Sequence, residues 1–283
     1  MILQHTQQRR EGRMKPALAR RKCFGRYGSA WGLYLAAFLV FAAVPSVLPV
    51  SAAPALVSII IPTYNEAAGL PALLQYVRAE AAAGAVELLV ADAGSTDATA
   101  AVARRYGARV VVCPQRGRAV QLNQGAAAAS GTILYFLHAD TYPPVGFLAA
   151  IRAAVAAGAG SGCFRLRFDH SHWLLRLSAW CTRFDVDIIR FGDQSLFVQR
   201  AVFGQAGGFR PELLLLEDQE IVGRLRRYGP FRVLPASVTT SARKYLQNGV
   251  VRLQASFTLL TLLYRLGVPQ ARLVQLYRRL VVS

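Results

Sequence analysis

The chain offers chemistry at three places where an apolar run stops abruptly. These are Pro62-Thr63-Tyr64-Asn65-Glu66 after residues 57–61, Asp92-Ala93-Gly94-Ser95-Thr96-Asp97 after 86–91, and His138-Ala139-Asp140 after 133–137. Polar groups at the carboxyl ends of buried strands face the crevice where open α/β sheets bind ligands. There Asp140 suits Mg2+ or Mn2+, hard ions that keep few protein ligands and complete their shell with phosphate oxygens. On spacing alone it reads equally well as the cap of the turn closed by Pro143 and Pro144. Asp92 suits the edge of a base or a ribose. Arg116 and Arg118, flanking Gly117, are placed to give a diphosphate charge-assisted hydrogen bonds. Glu217-Asp218-Gln219-Glu220 opens a helix, where acidic residues also serve simply to complement the positive dipole end.

A sheet is needed to bring these clusters together. Residues 57–61, 86–91, 109–113 and 133–137 read as short strands, the first and last of them buried. Between them lie a helix over 67–83, a second ending near Tyr106, and a loop running into a helix over 116–129. This alternation predicts a parallel, doubly wound α/β half-domain. Further helices are expected over 145–157, 170–184 and 217–228, with strands near 163–168 and 195–198. Within 250–266, Gln254, Thr258, Thr261 and Arg265 fall on one narrow stripe and leave a wide apolar face; a shorter helix after Pro269 repeats the scheme. Packing on the domain and lying on a membrane are both open to these two basic helices.

Of the 283 residues 54% are hydrophobic, and the net charge is +18. That balance suits anionic lipid surfaces and phosphate-bearing ligands. Nucleic acid is not an expected partner, since zinc-finger spacing and aromatic RNA-binding signatures are missing. Residues 1–28 form a basic tail expected to be disordered, and 29–53 an apolar segment. The latter is long enough to cross a bilayer, yet Pro45, Pro49 and the small residues 51–53 also fit a signal peptide. Cys23, Cys113, Cys163 and Cys181 are scattered without metal-ligand spacing and read as reduced, in a cytosolic compartment.

The motifs VSIIIPTYNE, ADAGSTD, GRAVQLNQGAAAASG, LHAD, GGF and LLEDQE, in this order and at these intervals, resemble family 2 glycosyltransferases over roughly residues 57–238. LHADT, FGDQ and SARKY are similar to a small bacterial branch often encoded beside radical-SAM proteins. The resemblance implies a GT-A fold: a Rossmann-like, mostly parallel mixed sheet flanked by helices, over 54–245, with the amphipathic helices of 246–283 appended. It also implies a nucleotide-diphosphate sugar donor, one divalent metal, and a single inverting transfer to a hydroxyl acceptor. Pro62, Tyr64, Glu66 and Asp92 would line the nucleoside pocket and Arg118 the diphosphate. Asp140 matches the last Asp of the family's DxD metal motif, Asp218 its general base, and Glu217 a group orienting the acceptor or the base. Asp193 and Gln194 would shape the acceptor side.

Two departures from the family pattern stand out: His138 replaces the first Asp of DxD, and Ala93 follows the nucleotide-binding Asp. The processive QxxRW signature is missing, with Arg243-Lys244-Tyr245 the nearest approach. A nucleotidyltransferase would carry a GxGTR-like loop after the first strand, and a membrane-anchored nucleotide-binding scaffold with a decayed site remains the alternative from another class. The basic, apolar C-terminus suits a lipid-linked acceptor. Because nucleotide sugars are cytosolic, the catalytic domain is expected on the cytoplasmic side of a membrane, although the positive-inside rule with one crossing would place it outside.

Overall fold

A computed structural model of the chain describes residues 55–81 and 86–281. The basic tail and the apolar 29–53 segment lie outside the described residues. Contacts divide the chain into residues 1–52 and 53–283, and the second unit is the one described below.

Four strands form the expected parallel half: β1 (Val57–Thr63), β2 (Val86–Asp92), β3 (Arg109–Val112) and β4 (Ile133–Phe136). The central strands β1 and β4 are almost wholly buried because both faces are covered, whereas β3 at the edge is half-exposed. Ile59, Ile61 and Tyr135 enter one core with Leu70, Leu74 and Phe147, while Ile60, Leu134 and Phe136 enter another with Leu122, Phe203 and Phe209. Helices α1 (Leu70–Ala81), α2 (Thr99–Arg105) and α3 (Arg118–Ala128) connect these strands. The approach of α3 depends on Gly125, where a Cβ would lie 2.4 Å from Ile60 Cγ2. That close contact presents the N-terminal turn of α3 to the ends of β1 and β2.

The sheet then becomes mixed, in the order β3-β2-β1-β4-β7-β6-β8-β5. Here β5 is Thr141–Tyr142, β6 Ser161–Phe168, β7 Leu196–Gln199 and β8 Phe231–Thr240. Only β7 and β5 run against the other six, so the sheet is mostly parallel. Helices α4 (Phe147–Ala156), α5 (Trp173–Cys181), α6 (Arg200–Gln205) and α7 (Glu217–Leu225) flank it, and α8 (Arg243–Asn248), α9 (Val250–Arg265) and α10 (Gln270–Leu280) complete the chain.

Sequence reasoning missed β8. Its run FRVLPASVTT contains Pro235, which lacks an amide donor, and the register against β6 jumps from Phe164↔Leu234 to Arg165↔Ser237. The bulge takes Pro235 and Ala236 out of the ladder, a tolerance invisible to periodicity. The C-terminal helices are not detached from the domain. Gln270 bonds the backbone of Leu215 in both directions, Lys244 bonds the Tyr277 hydroxyl, and α5 packs on α9.

Candidate active site

The strand-end clusters of β1 and β4 meet the start of α7 in one cleft of about 760 Å³, within the usual range for small-molecule sites. Pro62, Tyr64, Glu66, Arg118, Asp140, Asp193, Glu217 and Asp218 all line it. The separation between Arg118 and the two acidic residues, about a hundred positions, is closed by the sheet alone. Arg118 Nη1 lies 3.2 Å from Glu217 Oε1 and 3.5 Å from Asp218 Oδ2.

Backbone strain sets the acidic pair. Leu216, immediately before Glu217, has φ +65°, a left-handed conformation that costs a leucine on the order of 1–2 kcal/mol. Glu217 is 3% exposed. Burial, then the Asp218 charge, push its carboxyl up to about 7 against the opposing pull of Arg118. An unfolded chain ionises this group near 4.5 while the folded chain keeps the proton until about 7, so stability falls as pH rises through that window. Glu217→Gln is expected to flatten the fall, which urea midpoints at about pH 5 and about pH 8 would show.

His138 answers one of the questions left by the sequence. Its Nδ1 lies 2.9 Å from Asp193 Oδ1. Burial and Arg118 pull its pKa down, but the bond and charge of Asp193 outweigh them and hold it above the ordinary 6.5. Between this pair and the acidic residues sits Gly192, where a Cβ would lie 2.3 Å from Asp218 Oδ2 and 2.7 Å from His138 Nε2. Only a glycine lets both groups reach this wall of the cleft.

Asp140 is exposed just beyond the end of β4, and its carboxylate has one long contact, Thr141 Oγ1 at 3.5 Å. Its charge, after burial, raises the pKa of Glu66. Among the described residues no group of three or more His, Cys, Asp or Glu side chains is arranged to hold a metal. Asp140 therefore fits a cation only if a ligand supplies most of the remaining oxygens.

Two expected residues are placed differently. Gln194 is buried: its Nε2 donates to Phe164 O at 3.3 Å and its Oε1 accepts from Phe191 N at 3.2 Å, so it props the Asp193 loop rather than facing the acceptor side. Asp92 is also buried and does not line the cleft. Its carboxylate accepts from Thr63 Oγ1, Ser95 N and Ser95 Oγ, leaving about one of four acceptor positions, on Oδ2. The same two loops are joined further out. Asn65 N donates to Ser95 Oγ and Thr96 N to Asn65 Oδ1, while Glu66 N and Ala67 N donate to Thr99 Oγ1 and Asp97 Oδ2.

Arg116 parts from Arg118 and lies 4.1 Å from the centre of the Tyr64 ring. Gln121 was missed at the sequence level. Its buried amide donates to Thr63 O and Ala91 O, 2.9 and 2.8 Å away, tying the β1 and β2 ends together at the cleft. Its position one turn into a helix that follows GR was the available signal.

The sheet order, the strand-end cleft and the acidic turn that lines it define a GT-A glycosyltransferase. The chain belongs to glycosyl transferase family 2, whose model matches residues 58–201. A PGL/p-HBAD biosynthesis glycosyltransferase of Mycobacterium tuberculosis is 32% identical over 174 residues, 57% of this chain and 66% of that relative. The chain thus spans just under two thirds of the relative's length. Among solved structures, a mannosyltransferase from Pyrobaculum calidifontis in complex with GDP-Man and Mn2+ superposes with a TM-score of 0.61 at 20% identity, covering 75% of this chain and 63% of that one. Glucosyl-3-phosphoglycerate synthase from Mycobacterium tuberculosis, with Mn2+ and UDP, gives 0.54 at 20% identity, covering 76% and 81%. These matches do not distinguish the radical-SAM-associated branch.

Proposed function

We propose that the chain transfers one sugar, with inversion, from a nucleotide-diphosphate sugar to a hydroxyl acceptor. The observation that carries this reading is a single cleft lined by an exposed carboxylate, Asp140, and by Asp218, with Arg118 reaching in beside Asp218. Tyr64, with Arg116 over its ring, and Glu66 form the nucleoside end with Pro62, and Asp92, buried beneath, braces it through Thr63 and Ser95. Arg118 gives its guanidinium to diphosphate oxygens.

Asp218 removes the proton from the acceptor hydroxyl as that oxygen attacks the anomeric carbon from the side opposite the diphosphate. Glu217 holds Arg118 and, through it, orients the base. The His138–Asp193 pair fixes the adjoining wall on the acceptor side. Asp140 and the donor's own oxygens would hold Mg2+ or Mn2+, which when bound neutralises charge on the departing diphosphate.

Purified full chain is expected to be stabilised against heat by UDP or GDP only when Mn2+ or Mg2+ is added, and to release nucleotide from one sugar donor in a panel. No stabilisation by any nucleotide with either metal would overturn the assignment. Gly192→Ala is expected to lower turnover at least about tenfold while this stabilisation persists, because the added methyl displaces Asp218 and not the donor side. For the acceptor, a lipid-linked hydroxyl suits the basic C-terminal helices, with the domain on the cytoplasmic side of a membrane. Protease accessibility in spheroplasts tests that placement: digestion of the domain from outside rejects it.

A further inference from the structure

Helix α9 is apolar on two sides: Val250, Leu253 and Leu260 are buried against the protein, and a second set of aliphatic side chains is exposed. Thr261 is buried and, with Gln254 and Phe257, lines the cleft, whereas Val251, Leu259, Leu262 and Leu266 face outward. A helix that only covers a protein core ordinarily confines its apolar residues to one face. Helix α5 and the turn after it behave similarly. Trp173, Leu177, Trp180 and Phe184 repeat at helical spacing along one exposed side. These eight side chains are 42–72% exposed, and the two helices touch. Exposed apolar surface gathered in this way marks an interaction face rather than scatter.

The charges name the partner. Arg176 and Arg183 stand exposed among the aromatic side chains of the α5 region, and Arg252 and Arg265 among those of α9. From residue 221 to 283 there are eleven Lys or Arg and no Asp or Glu. The acidic groups nearest Phe184 are already engaged: Arg226 pairs with Asp185 and Asp187, and Arg190 also reaches Asp185. Tryptophan and phenylalanine beside arginine, with no unpaired acid between them, is the composition of a surface seated at a lipid interface. A protein partner of ordinary composition would call for carboxylates here as well as arginines.

We propose that the joined outer faces of α5 and α9 dock on an anionic lipid bilayer and hold the cleft beside it. The inner sides of the same helices, through Ser178, Gln254, Phe257 and Thr261, form part of the cleft wall. One helix, about 10 Å across, therefore separates the bilayer surface from the C-terminal arm of the site. Among the described residues no helix is long and apolar enough to cross a membrane, so the contact is interfacial. The inference sharpens the membrane association proposed above and rests on that reading; it needs neither donor nor acceptor to test, so its failure and that of sugar transfer are read separately.

The full chain has three tryptophans, and Trp31→Phe leaves only Trp173 and Trp180, both on α5. With vesicles of phosphatidylglycerol carrying brominated acyl chains, emission is expected to shift to the blue and fall at least roughly twofold, and the effect is expected to weaken with added salt. Leu259→Glu with Leu262→Glu, both at exposed positions, is expected to reduce this quenching roughly threefold without moving the thermal transition. Unquenched emission from protein that still floats with the vesicles would overturn the proposal, as would quenching unchanged in the double variant. Emission already blue-shifted and shielded from acrylamide without lipid would also overturn it, showing that residues 1–54 or a second copy cover the face.

Discussion

Asp218→Asn is expected to lower sugar transfer by about 10²–10⁴-fold while nucleotide affinity stays within about twofold. Asparagine keeps the shape of the side chain but has no site for the acceptor's proton, so the loss should fall on kcat. The fold should survive the change. Asp218 is partly exposed and its contact with Arg118 is 3.5 Å long, whereas Glu217 retains the shorter pairing at 3.2 Å. Turnover measured alongside calorimetric nucleotide binding checks the split. Intact turnover would move the proton acceptor elsewhere, with Glu217 the first candidate.

Asp140→Ala should give a different signature. Metal-dependent stabilisation by UDP or GDP is expected to weaken by about one to two orders of magnitude in affinity, and transfer should be abolished with it. The backbone of this turn stays in place, because Ser241 N donates to the Asp140 carbonyl and not to its side chain. Unfolding temperature without ligand should therefore match that of the parent. With a single carboxylate available, the cation is expected to bind poorly until a diphosphate joins it, so metal alone should stabilise neither protein. Comparable nucleotide and metal affinity in the variant would remove Asp140 from this role.

The half of the fold that was legible in the sequence is the half built from buried parallel strands. Runs such as Ile133 to Phe136 must be apolar at every position because cores lie on both sides, and that leaves an unmistakable string. The placement of a side chain in the cleft was legible where the residue stands at a strand end, as for Tyr64 and Asp140. It was not legible where a role depends on distant partners. Nothing near His138 announces that Asp193, fifty-five positions away, holds its ring. Gln194 and Asp193 are neighbours in sequence, yet the short helical turn at Gly192–Gln194 sends one side chain into the protein and the other to the cleft. Helix α9 shows the same limit: periodicity reveals that a helix has two faces and not which of them turns outward. In β8, a proline that argues against a strand is absorbed by a bulge.

The cross-links between the loops after β1 and β2 change what binding must accomplish. Asn65, Glu66 and Ala67 are tied to Ser95, Thr96, Asp97 and Thr99 before any ligand arrives, and Asp92 anchors both loops from beneath. Fixing a mobile side chain at an interface costs about 0.5–1.5 kcal/mol each, and here folding has already borne that entropy. For the nucleotide binding proposed above, this end of the cleft is thus a rigid template, and discrimination among bases would fall to fit rather than to loop closure.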